Sequence, residues 1–329
     1  MTESLTHAKN AEKISIVKNW DWPDLRRQTP NGNGVWNGVH FSIDTSEECD
    51  VLIVLNNCLL KPFSTTVKGK NVWALMQEPY AKGVTDWMAE KHDVFDRVFS
   101  HFRPCLDDKY IRSHPAIPWW INKTYKELVD MPVPDKIRPL SWIVGNVKDL
   151  PGHIKRLHFL QAMQREPSID IDLFGKAIRV IENKDEGLLP YKYALVVENT
   201  FAEDYWTEKL ADCLLTWTVP IYYGCPNLDD YFPNKSFIRI DIENPHEALE
   251  KIRKIIINDD WNARLHSVAE ARDRILNRYQ LFPHLCSLVN RYKDREKAIR
   301  HVTIPAYRRS PKAYAYRRIY KIKKMLKLL

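Results

Sequence analysis

Apolar residues in this chain fall into short continuous runs separated by segments of mixed polarity. Runs at 49–56, 72–76 and 94–100 are short and carry β-branched or bulky side chains. Those features predict buried strands, and their spacing predicts an α/β layer. Ahead of them, Asn31-Gly32-Asn33-Gly34 and Asn37-Gly38 read as loop chemistry. The first group misses a G-x-G-x-x-G fingerprint by one residue and follows no strand-like run.

A proline-bearing stretch over 126–139 (Pro132, Pro134, Pro139) reads as a linker. The pattern then restarts, with a strand at 141–144 and a helix at 153–164. Period-two alternation over 169–175 predicts another strand that ends in a turn. Residues 193–197 form a near-continuous apolar strand ending in Glu198-Asn199. Apolar positions 206, 210, 213, 214 and 217 then follow helical spacing, with Asp204 as the expected N-cap. Strands at 219–224 and 236–240 complete a βαβ unit plus one further strand. From 245 to 290 the pattern is helical. The expected organisation is therefore an N-terminal domain over 1–135, a C-terminal domain over 136–290 and a basic tail over 291–329. A length of 329 residues fits roughly two domains of about 150 each.

Charge sharpens this picture. The formal net charge is +8, but residues from Arg291 onward hold 14 Lys/Arg against Asp294 and Glu296. The body is mildly acidic, which argues against a nucleic-acid-binding protein with positive charge spread over its folded surface. Residues 308–329 hold nine Lys/Arg and no acid, with an apolar stripe at 319, 322, 326 and 329. Such a helix is expected to lie in the interface of an anionic membrane. The six cysteines contain no C-x-x-C pair, so neither a zinc site nor a redox motif is expected. The opening MTESLTHAKNAEK lacks the apolar core of a signal peptide. No run is long enough to span a membrane. The expected location is cytoplasmic, with peripheral docking on the inner face of the membrane.

Candidate chemistry concentrates after residue 190. Ligands of open parallel sheets bind beyond the carboxyl ends of the strands, and Glu198-Asn199 occupies one such end. The helix that follows would begin with unbonded N–H groups and a partial positive charge, a natural anion site. Lys209 lies within reach of a phosphate there, Glu208 can accept hydrogen bonds from sugar hydroxyls, and Tyr205 offers a ring and a hydroxyl. The set suits a pyrophosphate carrying a sugar. On spacing alone, the same residues fit the solvated face of an ordinary helix. There is no P-loop. Asp170-Ile171-Asp172 matches the loose D-x-D of metal-dependent sugar transferases but lies inside an alternating strand.

The stretch Val197-Glu198-Asn199-Thr200, Asp204-Tyr205-Trp206-Thr207-Glu208-Lys209-Leu210 and Val219-Pro220-Ile221-Tyr222-Tyr223-Gly224-Cys225-Pro226-Asn227, continuing to Ile238, resembles the donor-binding signature of the α-1,3/4-fucosyltransferases, glycosyltransferase family 10. Upstream the resemblance thins to Leu173-Phe174-Gly175, Gln77-Glu78-Pro79 and 95–100. It implies a GT-B fold, two Rossmann-like domains facing across a cleft. Asn199, Tyr205, Glu208 and Lys209 would then contact GDP-fucose, with Lys209 on the diphosphate and Arg156 as a second cation. Glu78 would be the general base. The large Trp206 departs from the family pattern. The resemblance implies an inverting transfer of fucose to an acceptor oligosaccharide, with a lipid-linked or lipopolysaccharide glycan as the default for a bacterial member. No metal would be obligatory, and Mn²⁺ or Mg²⁺ would at most stimulate. Competing readings are a transferase using another nucleotide sugar, a nucleic-acid binder acting through the tail, and a silent lectin-like protein.

Overall fold

Most of the predicted apolar runs become strands of two parallel sheets in the computed structural model, which describes residues 12–326. The first sheet contains β1 (Lys13–Val17), β2 (Val35–Trp36), β3 (Val39–Ile43) and β4 (Val51–Leu55). It continues, after β5 (Phe63–Lys68) outside it, with β6 (Val72–Leu75), β7 (Arg97–Ser100) and β8 (Tyr110–Arg112). The order is β2-β3-β1-β4-β6-β7-β8, parallel except at β2–β3. Asn37 and Gly38, both at positive φ, make the two-residue turn of that hairpin, as their sequence favours. Every residue of β4 and β6 is buried, which is why these strands read as continuous apolar runs.

The second domain contains α1 (Tyr125–Asp130), β9 (Arg138–Ile143), α2 (Pro151–Gln164), β10 (Asp172–Phe174) and β11 (Tyr191–Val197). It continues with α3 (Glu208–Leu215), β12 (Val219–Tyr223) and β13 (Ile238–Arg239). Its sheet runs β10-β9-β11-β12-β13, all parallel. The order reverses direction between β9 and β11. In a doubly wound sheet, that reversal opens a crevice at the carboxyl ends of the two strands. Helices α4 (Pro245–Asn258) and α5 (Trp261–Arg274) follow, and a π-helical turn (Ile275–Tyr279) leads into α6 (Leu281–Tyr292), β14 (Ile299–Ile304) and α7 (Pro311–Met325).

The structure corrects the expected boundaries at both ends. Trp119, Ile121 and Leu128 pack into the core of the second domain, so the first domain ends before Trp119 rather than at 135. The prolines mark no boundary between domains, since Pro132 and Pro134 lie between α1 and β9, whose Leu128 and Leu140 share one core, and Pro139 lies inside β9. Further on, Leu281, Phe282, Leu285 and Val289 of α6 pack with Ile14, Ile53 and Leu75 in the core of the first domain. Strand β14 pairs antiparallel with β5 over its whole length. The segment beyond 290 is thus partly an element of the first domain, because its apolar positions complete a core laid down some 200 residues earlier.

Helix α7 lies across both domains. The Tyr316 carbonyl would stand 2.7 Å from a Cβ placed on Gly83, so only a glycine admits the helix there. Lys82 sits over the Tyr316 ring at 3.8 Å, and Ser310, the N-cap, donates to Glu90 at 2.5 Å. On the other domain Lys324 meets Asp149 at 2.6 Å, and the Tyr320 hydroxyl donates to the Asp149 carbonyl. Ile319, Ile322 and Leu326 of the predicted stripe stay exposed, while Leu329 lies outside the described residues.

Candidate active site

Strand β11 delivers Glu198 and Asn199 to the crevice. The Glu198 side chain is fully buried and accepts hydrogen bonds from the Thr207 backbone N–H (2.8 Å), the Thr207 hydroxyl and the Lys209 ammonium (3.1 Å). Thr207 caps α3, its hydroxyl accepting from the Lys209 N–H. The cap is therefore three residues later than expected. Asp204 cannot serve, because its backbone is at φ 60° and its carboxylate is taken by Arg112, Asn227 and Tyr231.

Glu208 and Lys209 open α3, facing the crevice rather than bulk water. Burial disfavours the Lys209 ammonium, but Glu198 and Glu208 outweigh it and raise its pKa, so the residue stays charged. Burial likewise opposes the Glu208 carboxylate, but Lys209 and Lys184 hold its pKa below the ordinary value. Tyr205 is buried immediately before them, its ring 4.7 Å from that of His101. Trp206 points away from the cleft and stacks on His114 at 5.0 Å, within an aromatic cluster that includes Tyr231, Phe232 and Tyr279. The family departure at this position thus fills the junction between the domains.

The second cation comes from α2. Arg156 donates from Nη1 to Asn199 Oδ1 (2.6 Å) and from Nη2 to the Gly145 carbonyl (3.0 Å), bridging the carboxyl ends of β11 and β9. Arg156 is 4% exposed, and its Nε has no partner among the described residues. A built Cβ on Gly152 would lie 2.0 Å from the Asn199 carbonyl, so this glycine lets the first turn of α2 sit against the end of β11. His153 Nδ1 accepts from the N–H groups of Asp149 and Leu150, which requires a neutral ring. Burial and then Arg156 lower its pKa to about 4. Two helix N-termini and two cations thus converge on one crevice, a site for a multiply charged anion.

Across the cleft, Glu78 follows β6. It is exposed to solvent yet stands between walls of protein, and that crowding, followed by the Glu208 charge, raises its pKa while Lys209 lowers it. Beside it, Tyr80 and Phe102 stack with centroids 3.9 Å apart and planes 9° from parallel. A cavity of about 360 Å³ lies between the domains, lined by Tyr80 and Lys82 on one side and Gly152, Lys155, Asn199 and Tyr223 on the other, with Tyr320 of α7 at its edge. Lys209 and Arg156 stand one hydrogen bond behind this lining, through Glu198 and Asn199.

Asp170 and Asp172 are elsewhere. Asp172 begins β10, at the end of the sheet opposite the crevice, and is occupied by Arg138, Arg179 and the Tyr191 hydroxyl. Among the described residues no cluster of three His, Cys, Asp or Glu could hold a metal ion. The six cysteines are free thiols.

Two α/β domains, each built on a largely parallel sheet and facing one another across a crevice, define a glycosyltransferase fold of the GT-B class. A Rickettsia africae glycosyltransferase of known structure shares this fold, with a TM-score of 0.50 at 10% identity over 86% of this chain and 98% of that one. The sequence pattern of "Glycosyltransferase family 10 (fucosyltransferase) C-term" matches residues 133–304, just over half of the chain. The chain belongs to that family. It is 40% identical over 74 residues to the alpha-(1,3)-fucosyltransferase FucT of Helicobacter pylori, covering 22% of this chain and 16% of that protein. It is 26% identical over 213 residues to alpha-(1,3)-fucosyltransferase B of Drosophila melanogaster, covering 57% of this chain and 46% of the relative. The chain thus spans less than half the length of these relatives.

The structure gathers Asn199, Tyr205, Glu208, Lys209 and Arg156 on one side of the cleft and sets Glu78 opposite. Sequence reasoning missed Lys184, Asp212, the Tyr80–Phe102 pair and Tyr320. Asp212 lies one helical turn after Glu208 in α3, a spacing the sequence shows, whereas Lys184 reaches Glu208 only through the fold. Tyr80, two residues after Glu78, carried a signal in its position after a strand end.

Proposed function

We propose that this chain is an inverting fucosyltransferase that moves fucose from GDP-fucose to a hydroxyl of an acceptor glycan in α-1,3/4 linkage. The observation that carries the reading is the placement of Arg156 and Lys209 at the β9/β11 crevice with Glu78 across from them. The acceptor hydroxyl attacks the anomeric carbon from the face opposite GDP. Its proton passes to Glu78, the bond from anomeric carbon to phosphate oxygen breaks, and GDP leaves with the electron pair. Arg156 and Lys209 stabilise the charge growing on the diphosphate, where an already oriented cation acts without reorganisation. Glu208 and Tyr205 face the sugar, and Asn199 holds Arg156. With two protein cations in place, no metal is needed, and activity is expected to persist in EDTA.

The test is incubation with GDP-fucose or GDP-mannose over a glycan array, with linkage assigned by mass spectrometry and NMR. Transfer from GDP-fucose alone, with inverted anomeric configuration, is expected. Transfer from GDP-mannose instead would show that the phosphate contacts serve another sugar.

We further propose that the acceptor is a lipid-linked or lipopolysaccharide glycan at the cytoplasmic face of an anionic membrane, with the exposed Ile319, Ile322 and Leu326 of α7 resting on it. Deleting 308–329 is a poor test, because it also removes Ser310, Tyr320 and Lys324 from their contacts. Ile319→Ser with Ile322→Ser spares those contacts. This variant is expected to lose sedimentation with anionic liposomes while keeping activity on soluble acceptors. Unchanged sedimentation would refute the anchor.

A further inference from the structure

Five charged side chains form a row of alternating sign along the donor side of the cleft. Glu198 meets Lys209 at 3.1 Å, Lys209 meets Glu208 at 3.8 Å, Glu208 meets Lys184 at 3.6 Å, and Lys184 meets Asp212 at 2.8 Å. Backbone fixes both ends. Glu198 accepts from the Thr207 N–H, and Asp212 accepts from the N–H groups of Trp120 (2.8 Å) and Ile121 (3.3 Å). Four members belong to the end of β11 or to α3. Lys184 alone arrives from a distant loop, opening the 3-10 turn Lys184–Gly187 between β10 and β11.

The site needs such a residue. Glu208 shares the cleft with Glu78 and stands one lysine away from Glu198, and neighbouring carboxylates push one another toward protonation. A protonated Glu208 would lose acceptor capacity toward sugar hydroxyls. Lys209 is divided between Glu198 and the diphosphate. Among the described residues the acids that Lys184 meets are Asp212 and Glu208, with the Trp120 ring 5.5 Å away, and Asp212, 1% exposed and held by two backbone donors, gives it a fixed post.

We infer that Lys184 is a positioning residue for the donor sugar: anchored on Asp212, it holds the Glu208 carboxylate ionised and in place to accept hydrogen bonds from fucose hydroxyls. The inference rests on the proposed use of GDP-fucose. Lys184 acts through Glu208 and touches no reacting atom. The effect should therefore appear in recognition of the sugar and not of the nucleotide.

A lysine that merely neutralised buried Asp212 would matter for folding alone, so the test removes both charges. In Lys184→Met/Asp212→Asn, the amide oxygen still accepts from Trp120 and Ile121, and no unpaired charge remains buried. The full chain is compared with wild type by steady-state kinetics with GDP-fucose and by calorimetric binding of GDP. The double variant is expected to raise KM for GDP-fucose about tenfold while the GDP Kd stays within about twofold. Asp212→Asn alone, which loosens the post and keeps the ammonium, is expected to raise KM about threefold. A folded double variant with wild-type KM overturns the inference. Equal weakening of GDP and GDP-fucose also overturns it, by placing Lys184 at the diphosphate. Loss of folding in both variants overturns it too, by making Lys184 a structural counter-ion. Wild-type protein that binds GDP without transferring fucose sinks the functional reading itself, and this inference with it.

Discussion

The two domains share a strand order but not a chemistry. Counting parallel strands in chain order, both sheets begin 2-1-3-4-5. In the second domain, α2 and α3 follow their strands directly, and both N-termini open on the crevice. In the first, no α-helix occurs between Lys13 and Arg112, and the helix that covers its core, α6, comes from far along the chain. One side thus gains N-terminal dipoles and two cations, suited to a diphosphate. The other presents one carboxylate and a stacked aromatic pair, suited to a neutral sugar ring and the proton it must lose. A shared topology sets where ligands lie, and the connectors decide which ligands they are.

The sharpest way to break this contrast is Lys209→Ala. It removes a diphosphate contact and leaves Glu198 buried without its counter-charge, so kcat/KM for GDP-fucose is expected to fall on the order of 10⁴-fold. Kinetics near wild type would empty the donor side of its proposed chemistry. Next is Glu78→Gln, expected to lower kcat by roughly 10²–10⁴-fold with GDP binding by calorimetry unchanged. Because crowding and Glu208 raise the Glu78 pKa, and the base works only when ionised, wild-type activity should be lost as pH falls through a value above that of an ordinary glutamate. The variant should lack that acid limb. Lost GDP binding with the fold intact would move Glu78 to the donor side. Arg156→Lys keeps a charge but cannot bridge Asn199 and Gly145, and a loss of roughly 10–100-fold is expected in kcat/KM. Smallest is Tyr80→Ala, which should raise the acceptor KM several-fold, by about 1 kcal/mol, and leave the donor KM alone. A donor effect of equal size would erase the division between the sides.

The donor half was legible because its parts lie close in sequence. A strand end, a helix start and Glu208-Lys209 fall within about a dozen residues, where spacing translates directly into geometry. Even there the cap was misplaced, because Asp204 is an equally good capping residue until Arg112 and Tyr231, distant in the chain, claim its carboxylate. Lys184 gave no local signal, since its only distinction is the pair of acids it meets in space. The domain ends were misread for the same reason. Prolines punctuate a chain whether or not a domain ends there, and nothing local in α6 says which of two cores its apolar face will join.

Because α6 returns to the first domain, the chain passes between the halves twice, near Trp119 and again near Gln280. The passages are adjacent: Gln28 Nε2 donates to the Trp119 carbonyl and Gln280 Nε2 to that of Gln28, both at 3.2 Å. A pair of neighbouring tethers permits opening and shutting about one axis while opposing free swivel. Such a pair acts like a book spine that keeps Glu78 opposed to Glu208, and α7, which meets Lys82 and Glu90 on one cover and Asp149 on the other, is a clasp beside the cavity between them. After a cut at either passage the covers are expected to stay joined through the other, because α6 and β14 remain packed in the first domain.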